Sequence, residues 1–267
     1  MSDTSPETRR FLLTVSYDGR PFSGWQSQAG GNTVQDLLLE GLRGICPAVS
    51  TVQGAGRTDA GVSAEAQAAH FDTPGSWRMN PGEWTRALNS RLPPTIRIVC
   101  CREVDPTFHA RFDAKGKIYR YEIATGDILP PLRHGLAWHE PRLSDAAAVK
   151  AALSCFEGRH DFRAFSANRN DGHDESRDTV RTIDRATWTA GDDTSWSVTV
   201  EGDGFLYKMV RFLVGTAVYH SLGRIRLDEI RNLLAHPETN SAKAPYCAPP
   251  DGLRLVAVRY GVELREK

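Results

Sequence analysis

Hydrophobic and polar residues alternate over FLLTVSY, which places Phe11, Leu13, Val15 and Tyr17 on one face of a predicted strand. After a Gly-rich connection, NTVQDLLLEGLRGI changes period. Its apolar residues Val34, Leu37, Leu38, Leu42 and Ile45 fall on one helical stripe, and Thr33 can cap the helix with Asp36 three residues on. The second half of the chain repeats the plan. KIYRYEIA, residues 117–124, reads as a strand, and SDAAAVKAALSCFEG reads as a helix that Ser144 opens and Gly158 closes, with Val149, Ala152, Leu153 and Phe156 inward. TSWSVTVEGDGF is a strand leading into LYKMVRFLVGTAVYH, a helix that turns Leu206, Met209, Val210, Leu213 and Ala217 to the core. A helix around residues 230–234 and the strand LRLVAVRY close the chain. Strands with helices on one side, in two similar runs, predict an α+β duplication and not a strictly alternating parallel sheet.

Length agrees with two halves: the chain has 267 residues, and domains usually run to about 100–200. The expected division is a polar, disordered tail over 1–9, an N-terminal α/β half over 10–108 and a C-terminal α/β half over 109–267, with a cleft between the halves as the natural site. No apolar run approaches the roughly 20 residues a bilayer needs, so no membrane association is expected. The opening MSDTSPETRR lacks the apolar segment of a signal peptide.

Five cysteines form no C-x-x-C pair and are odd in number, which argues against a disulfide framework or a zinc site and for a reducing cytoplasm. His134 and His139 lie five apart without a glutamate in the metalloprotease place, so no metal site is expected. Lys plus Arg equals Asp plus Glu, 33 each. Net charge therefore does not announce a nucleic-acid binder, and local patches have to decide.

Three stretches offer chemistry. GAGRTDAGVSAEAQAAHF, residues 54–71, surrounds one cation, Arg57, and one carboxylate, Asp59, with small residues. It reads either as a tight turn with a solvated Asp–Arg pair or as a cramped loop that lets another backbone approach a lone carboxylate. It is not a dinucleotide fingerprint, because Asp59 stands where the third glycine belongs, and no Gly-Lys-Ser/Thr follows to make a phosphate loop. On the strand at 115–123, Lys115, Lys117, Tyr119, Tyr121 and Ile123 share one side. Two cations and two aromatics suit RNA, and they equally suit an aromatic pair over a core with lysines at its rim. In EGDGFLYKMVRFLVG, Gly202 and Gly204 predict a sharp turn, and Lys208 and Arg211 share a helix face. That face is either solvated or, at the edge of a cleft, places Arg211 to hold a carboxylate in its charged form.

GAGRTDAGVSA, the K-x-Y-R-Y strand around Tyr119, GFLYKMVRFLVG around Arg211 and the ending APPDGLRLVAVRY resemble the signatures of the tRNA pseudouridine synthase A family. DFRAF and VQDLLLEGL are similar to further family segments in the right order, so the resemblance runs from about residue 11 to 260. It implies the pseudouridine synthase fold: two similar α/β halves sharing a mixed, mostly antiparallel sheet with a central cleft. It implies isomerisation of uridine to pseudouridine in the anticodon arm of tRNA, at tRNA positions 38, 39 and 40, without cofactor or metal, by a cytoplasmic homodimer. The family's catalytic aspartate maps to Asp59, its base-extruding arginine to Arg57, its stacking tyrosine to Tyr119 and the arginine paired with the aspartate to Arg211. Lys115, Lys117 and Lys208 are further candidate RNA contacts.

Two positions depart from the family pattern: Ser63 and Lys208 stand where histidine is common. The charged stretch ANRNDGHDESRDTV, residues 167–180, reads as a flap over RNA or as a solvated loop. Small residues beside Asp59 would admit a splayed ribose, so a larger side chain at Ala60 or Gly61 is expected to block RNA before it harms the fold. Two alternatives of other classes are a non-catalytic RNA-binding protein on the same fold and a phosphate-binding hydrolase, the latter disfavoured by the absent lysine and the repulsive Asp59.

Overall fold

The computed structural model describes residues 8–169, 176–191, 194–237 and 243–261. They form two compact units, one of residues 8–115 with 255–261 and the other of residues 116–254. The first unit thus extends past position 108 to 115 and also takes the end of the chain. The expected flap over 167–180 lies in part, at 170–175, outside the described residues, as does most of the expected tail.

In the first unit, β1 (Thr8–Tyr17) is followed by α1 (Val34–Arg43), β2 (Val52–Gly54), β3 (Ser63–Pro74), α2 (Pro81–Arg91) and β4 (Ile96–Val104). β1 runs antiparallel between β3 and β4, and β2 adds antiparallel to β3. The alternation in β1 does what it predicts: Phe11, Leu13, Val15 and Tyr17 are all buried. Thr33 caps α1 by accepting the Asp36 amide at 3.2 Å, and its hydroxyl donates to the Asp36 carboxylate at 2.6 Å. α2 starts on a reciprocal cap, in which Asn80 Oδ1 accepts the Glu83 amide and Glu83 Oε2 accepts the Asn80 amide, with Pro81 preset for the first turn. That start turns Trp84 onto the sheet, where its ring lies 4.9 Å from Phe71 and 5.9 Å from Phe11. Burying each such ring contributes roughly 2–3 kcal/mol.

In the second unit come β5 (Ala114–Ala124), β6 (Trp138–His139), α3 (Ala146–Ser154), β7 (Gly158–Asp161), β8 (Val180–Ala190), β9 (Ser195–Gly202), α4 (Met209–Ser221) and α5 (Leu227–Ala235). The strand order is β5-β9-β8-β7, antiparallel throughout, with β6 parallel to β5. α3 packs on α4 and β8. The last strand, β10 (Leu253–Tyr260), lies beside β3. Mixed sheet and packed helices make the protein α+β.

Local details correct the reading at two places and add to it at a third. Asp145, not Ser144, caps α3, accepting the Ala148 amide at 2.9 Å. Gly158 does not end that helix: α3 stops at Ser154, and Gly158, at φ +99°, begins β7. The backbone bends at Asp203, between Gly202 and Gly204, and Lys208, with φ +59°, adds a left-handed residue just ahead of α4.

Candidate active site

Asp59 sits on the loop between β2 and β3, and the chain's own segment 17–25 grips that loop. The Trp25 amide donates to the Thr58 carbonyl at 3.1 Å, and the Tyr17 and Thr58 hydroxyls are hydrogen-bonded at 2.8 Å in a fully buried pair. Burial pushes the Tyr17 hydroxyl well above its ordinary range, so it stays protonated. On the β3 side, Gln67 Nε2 donates to the Gly56 carbonyl and the Ala55 amide to the Ala68 carbonyl. The Val62 amide returns to the Asp59 carbonyl at 3.1 Å, closing a turn that Gly61 completes at φ +80°.

The small residues here make room for protein. A Cβ at Gly54 would stand 2.5 Å from the Trp25 indole, one at Gly24 2.7 Å from the Thr58 carbonyl oxygen, and one at Gly19 2.1 Å from the Val62 carbonyl oxygen. A side chain at Gly61 would be strained by its φ, so only Ala60 separates an effect on an approaching ligand from an effect on the fold. Ser63, the first departure from the family pattern, serves the fold, since its Oγ accepts the Gly19 amide at 2.9 Å. Within this clamp Asp59 is half-buried, while Arg57 and Ala60 on either side are exposed.

The remaining candidates, apart from Lys115 at the end of the first unit, lie in the second. Tyr119 pairs with Val200 across β5 and β9, is 7% exposed, and meets Phe205 edge-on at 5.0 Å. Tyr121, two residues on, is fully buried, and its hydroxyl donates to the Pro249 carbonyl. Burial holds that hydroxyl protonated, against the opposing pull of the Arg211 cation. Tyr121 thus serves packing, while Tyr119 keeps a small part of its surface exposed. Arg211 is half-buried in the first turn of α4, its Nε donating to the Ala248 carbonyl at 2.7 Å and its own carbonyl accepting the Ala248 amide at 3.0 Å. Lys208 does not share a helix face with it. It precedes the helix in the left-handed region, with Nζ 5.1 Å from the centre of the Tyr207 ring. Lys117 is half-buried opposite Gly202, and Lys115 is exposed.

The sequence reading missed the residues that hold the loop: Tyr17, Trp25, Gly24 and Gln67. The one signal for the first three was the glycines of YDGRPFSGW, which space the segment for close approach.

Residues 13–113 and 152–261, which include Arg57, Asp59 and Arg211, match the model of a family described as tRNA pseudouridine synthase. The chain belongs to that family. Its family relatives include a tRNA pseudouridine synthase A of Akkermansia muciniphila, 44% identical over 255 residues that make up 95% of this chain and 96% of the relative. A second, from Solidesulfovibrio magneticus, is 42% identical, covering 94% of this chain and 91% of its own. A third, from a Geobacillus strain, is 39% identical over 95% and 99%. In this family member no described helix is long and apolar enough to cross a membrane, and no group of three or more His, Cys, Asp or Glu among the described residues could hold a metal ion. His139 is engaged elsewhere, its Nε2 hydrogen-bonded to the Gly126 carbonyl at 2.7 Å.

Proposed function

We propose that this protein isomerises uridine to pseudouridine in the anticodon arm of tRNA, at tRNA positions 38, 39 and 40, with Asp59 as its catalytic carboxylate. The reaction is redox-neutral. The bond from uracil N1 to the ribose C1′ breaks, the ring turns, and C1′ bonds to C5, while the C5 proton leaves and N1 gains one.

One carboxylate serves this chemistry in either of two ways. Asp59 attacks the ribose or the base as a nucleophile, or it removes a ribose proton to open a glycal path. Both need the anion. Arg211 takes the family's role of a cation that keeps the aspartate ionised, because an opposite charge favours the charged form. Loss of the C5 proton requires a base, a role open to Asp59 itself or to Tyr119. The target uridine must first leave a stacked helix at a cost of about a few kcal/mol, and Arg57 fills the vacated space. Tyr119 stacks on the uracil. Lys115, Lys117 and Lys208 contact phosphates, which lets a chain of zero net charge bind tRNA through a local patch. The working form is a cytoplasmic homodimer in which one tRNA touches both subunits.

The observation that carries the reading is the Asp59 loop. The loop that carries this half-buried carboxylate is held by backbone and side-chain hydrogen bonds from the 17–25 segment and from β3, and Asp59 is flanked by an exposed cation and an exposed methyl group. Such a clamp fixes the backbone that carries the acid before substrate arrives, as pre-organised catalysis requires. Asp59→Asn should retain tRNA affinity within about twofold and lose on the order of a thousandfold or more in tritium release from C5-labelled uridine in tRNA. Turnover within tenfold of the unaltered enzyme would remove Asp59 from the mechanism, whereas an unaltered protein that binds tRNA and releases no tritium would favour the non-catalytic RNA-binding alternative.

A further inference from the structure

Phe112 is 73% exposed, among the most exposed large apolar side chains of the described residues, and it is rigidly mounted. The chain turns just before β5, with the Asp113 amide returning to the His109 carbonyl at 3.0 Å. His109 Nδ1 accepts the amides of Arg111 and Phe112 at 3.1 and 3.3 Å. With Nδ1 the acceptor, Nε2 carries the hydrogen and donates to Gln53 Oε1 at 2.9 Å. The imidazole is locked from both sides, and behind it stands the His70 ring at 4.7 Å.

Phe112 leans on this fixed ring, the two centroids 4.2 Å apart and the planes 33° from parallel. The phenyl is therefore backed by imidazole, and most of the residue's surface is open to solvent. The Arg111 guanidinium lies 5.7 Å from the phenyl centroid, and among the described residues it makes no ion pair or side-chain hydrogen bond. Lys115 is a second exposed cation three residues on. The nearby carboxylate, Asp113, is turned back onto the His109 amide at 2.7 Å. Gln53, which holds the mount, immediately precedes Gly54, where the Asp59 loop begins.

We propose that Phe112 is a stacking platform for an unpaired base of the tRNA and that Arg111 holds the phosphate beside it. The inference rests on the tRNA-modifying function proposed above. A largely exposed ring with one cation beside it and a second three residues on is the form that single-stranded nucleic acid recognises: rings take bases, and charges take the backbone. A purely protein partner would be served by the apolar ring without the flanking unpaired cation.

The test uses the full chain and an unmodified tRNA transcript. Dissociation constants are measured over a series of salt concentrations, alongside KM and kcat for tritium release. Phe112→Ala should raise Kd and KM by on the order of tenfold, the usual consequence of losing one base–aromatic stack, and should leave kcat and the salt slope unchanged. Phe112→Trp should restore affinity, and Phe112→Leu, which keeps apolar area without a π-face, should not. Arg111→Ala should instead reduce the salt slope by about one. Thermal unfolding should not change for any of them. Unaltered Kd and KM in Phe112→Ala, or full affinity in Phe112→Leu, overturns the platform. So does a Phe112→Ala variant whose sedimentation without RNA shows lost self-association, since the ring would then face protein. If the unaltered enzyme binds tRNA without turnover, the proposed function fails while the Kd series still decides the role of Phe112.

Discussion

His70 is 3% exposed, and its Nδ1 accepts the Ala110 amide at 3.1 Å, so the native fold uses the imidazole as an acceptor in a dry place. Burial first, then the Arg10 cation, push its pKa down to about 4, against the weaker opposing pull of Asp72 and Asp113. The native state refuses a proton that the unfolded chain takes up near pH 6.5. Above that pH His70 contributes no slope. As pH falls from about 6.5 towards 4 the unfolded state binds the extra proton and stability declines, by roughly 3 kcal/mol in total, and levels off below. Urea unfolding at pH 7.5 and pH 5 should therefore differ by about 2 kcal/mol from this group alone. His70→Asn leaves an amide oxygen near the place of Nδ1 to accept the Ala110 amide, and it should remove most of that difference. An unchanged difference would assign the acid sensitivity to other groups. At this scale the sequence showed the chemistry better than the mounting. Asp59 and Arg57 stood out because their neighbours are small, while the buried His70 had no local pattern to mark it.

α4 begins on a residue whose backbone conformation disfavours it. Lys208 occupies the left-handed region at φ +59°, which costs an ordinary residue about 1–2 kcal/mol and glycine almost nothing. Lys208→Gly should thus raise stability by about 0.5–1 kcal/mol, the remainder being offset by the greater freedom of glycine in the unfolded chain. The same change deletes a proposed phosphate contact, so the slope of tRNA affinity against salt should become shallower by about one. A fall in melting temperature would show that the Lys208 contact with the Tyr207 ring outweighs the strain. Elements with a clean period were legible: β1 by alternation, and α1 by its stripe and its Thr33 cap. β3 was not. Its SAEAQAAHFDTP is alanine-rich, and Gln67, Ala68, Ala69, His70 and Phe71 are buried in succession, so no alternation exists to read. α2 was missed because its sequence is mostly polar, with only Trp84 and Leu88 buried. The left-handed residue before α4 had no signal because glycine is the usual mark of a special backbone, and here a lysine carries it.

The first unit is discontinuous along the chain, and that has a consequence for the whole molecule. Residues 255–261 belong to it although some 140 residues of the second unit intervene. Val258 and Tyr260 pack against the buried cluster of Leu12, Ala55, Ala68 and Ala110, and the Tyr260 hydroxyl donates to the Ala110 carbonyl at 2.8 Å. The Tyr260 ring also lies 5.1 Å from Phe108. Ala55 is the root of the Asp59 loop, so the end of the chain closes the core on which the proposed catalytic residue is mounted. No arrangement of local periodicities announces this, because the partners of β10 are remote in sequence. A fragment of residues 1–115 lacks that closure and should not unfold cooperatively on heating, whereas adding a peptide of residues 253–267 should restore a sharp transition. In the full chain, Tyr260→Phe removes only the hydrogen bond and should cost about 1 kcal/mol. Tyr260→Ala also opens a cavity and should cost about 2–4 kcal/mol, with tritium release lost in step with unfolding and not before it. A fragment of residues 1–115 that melts sharply by itself would show that the Asp59 loop stands without the last strand. The C-terminal residues would then have to be explained by some other role.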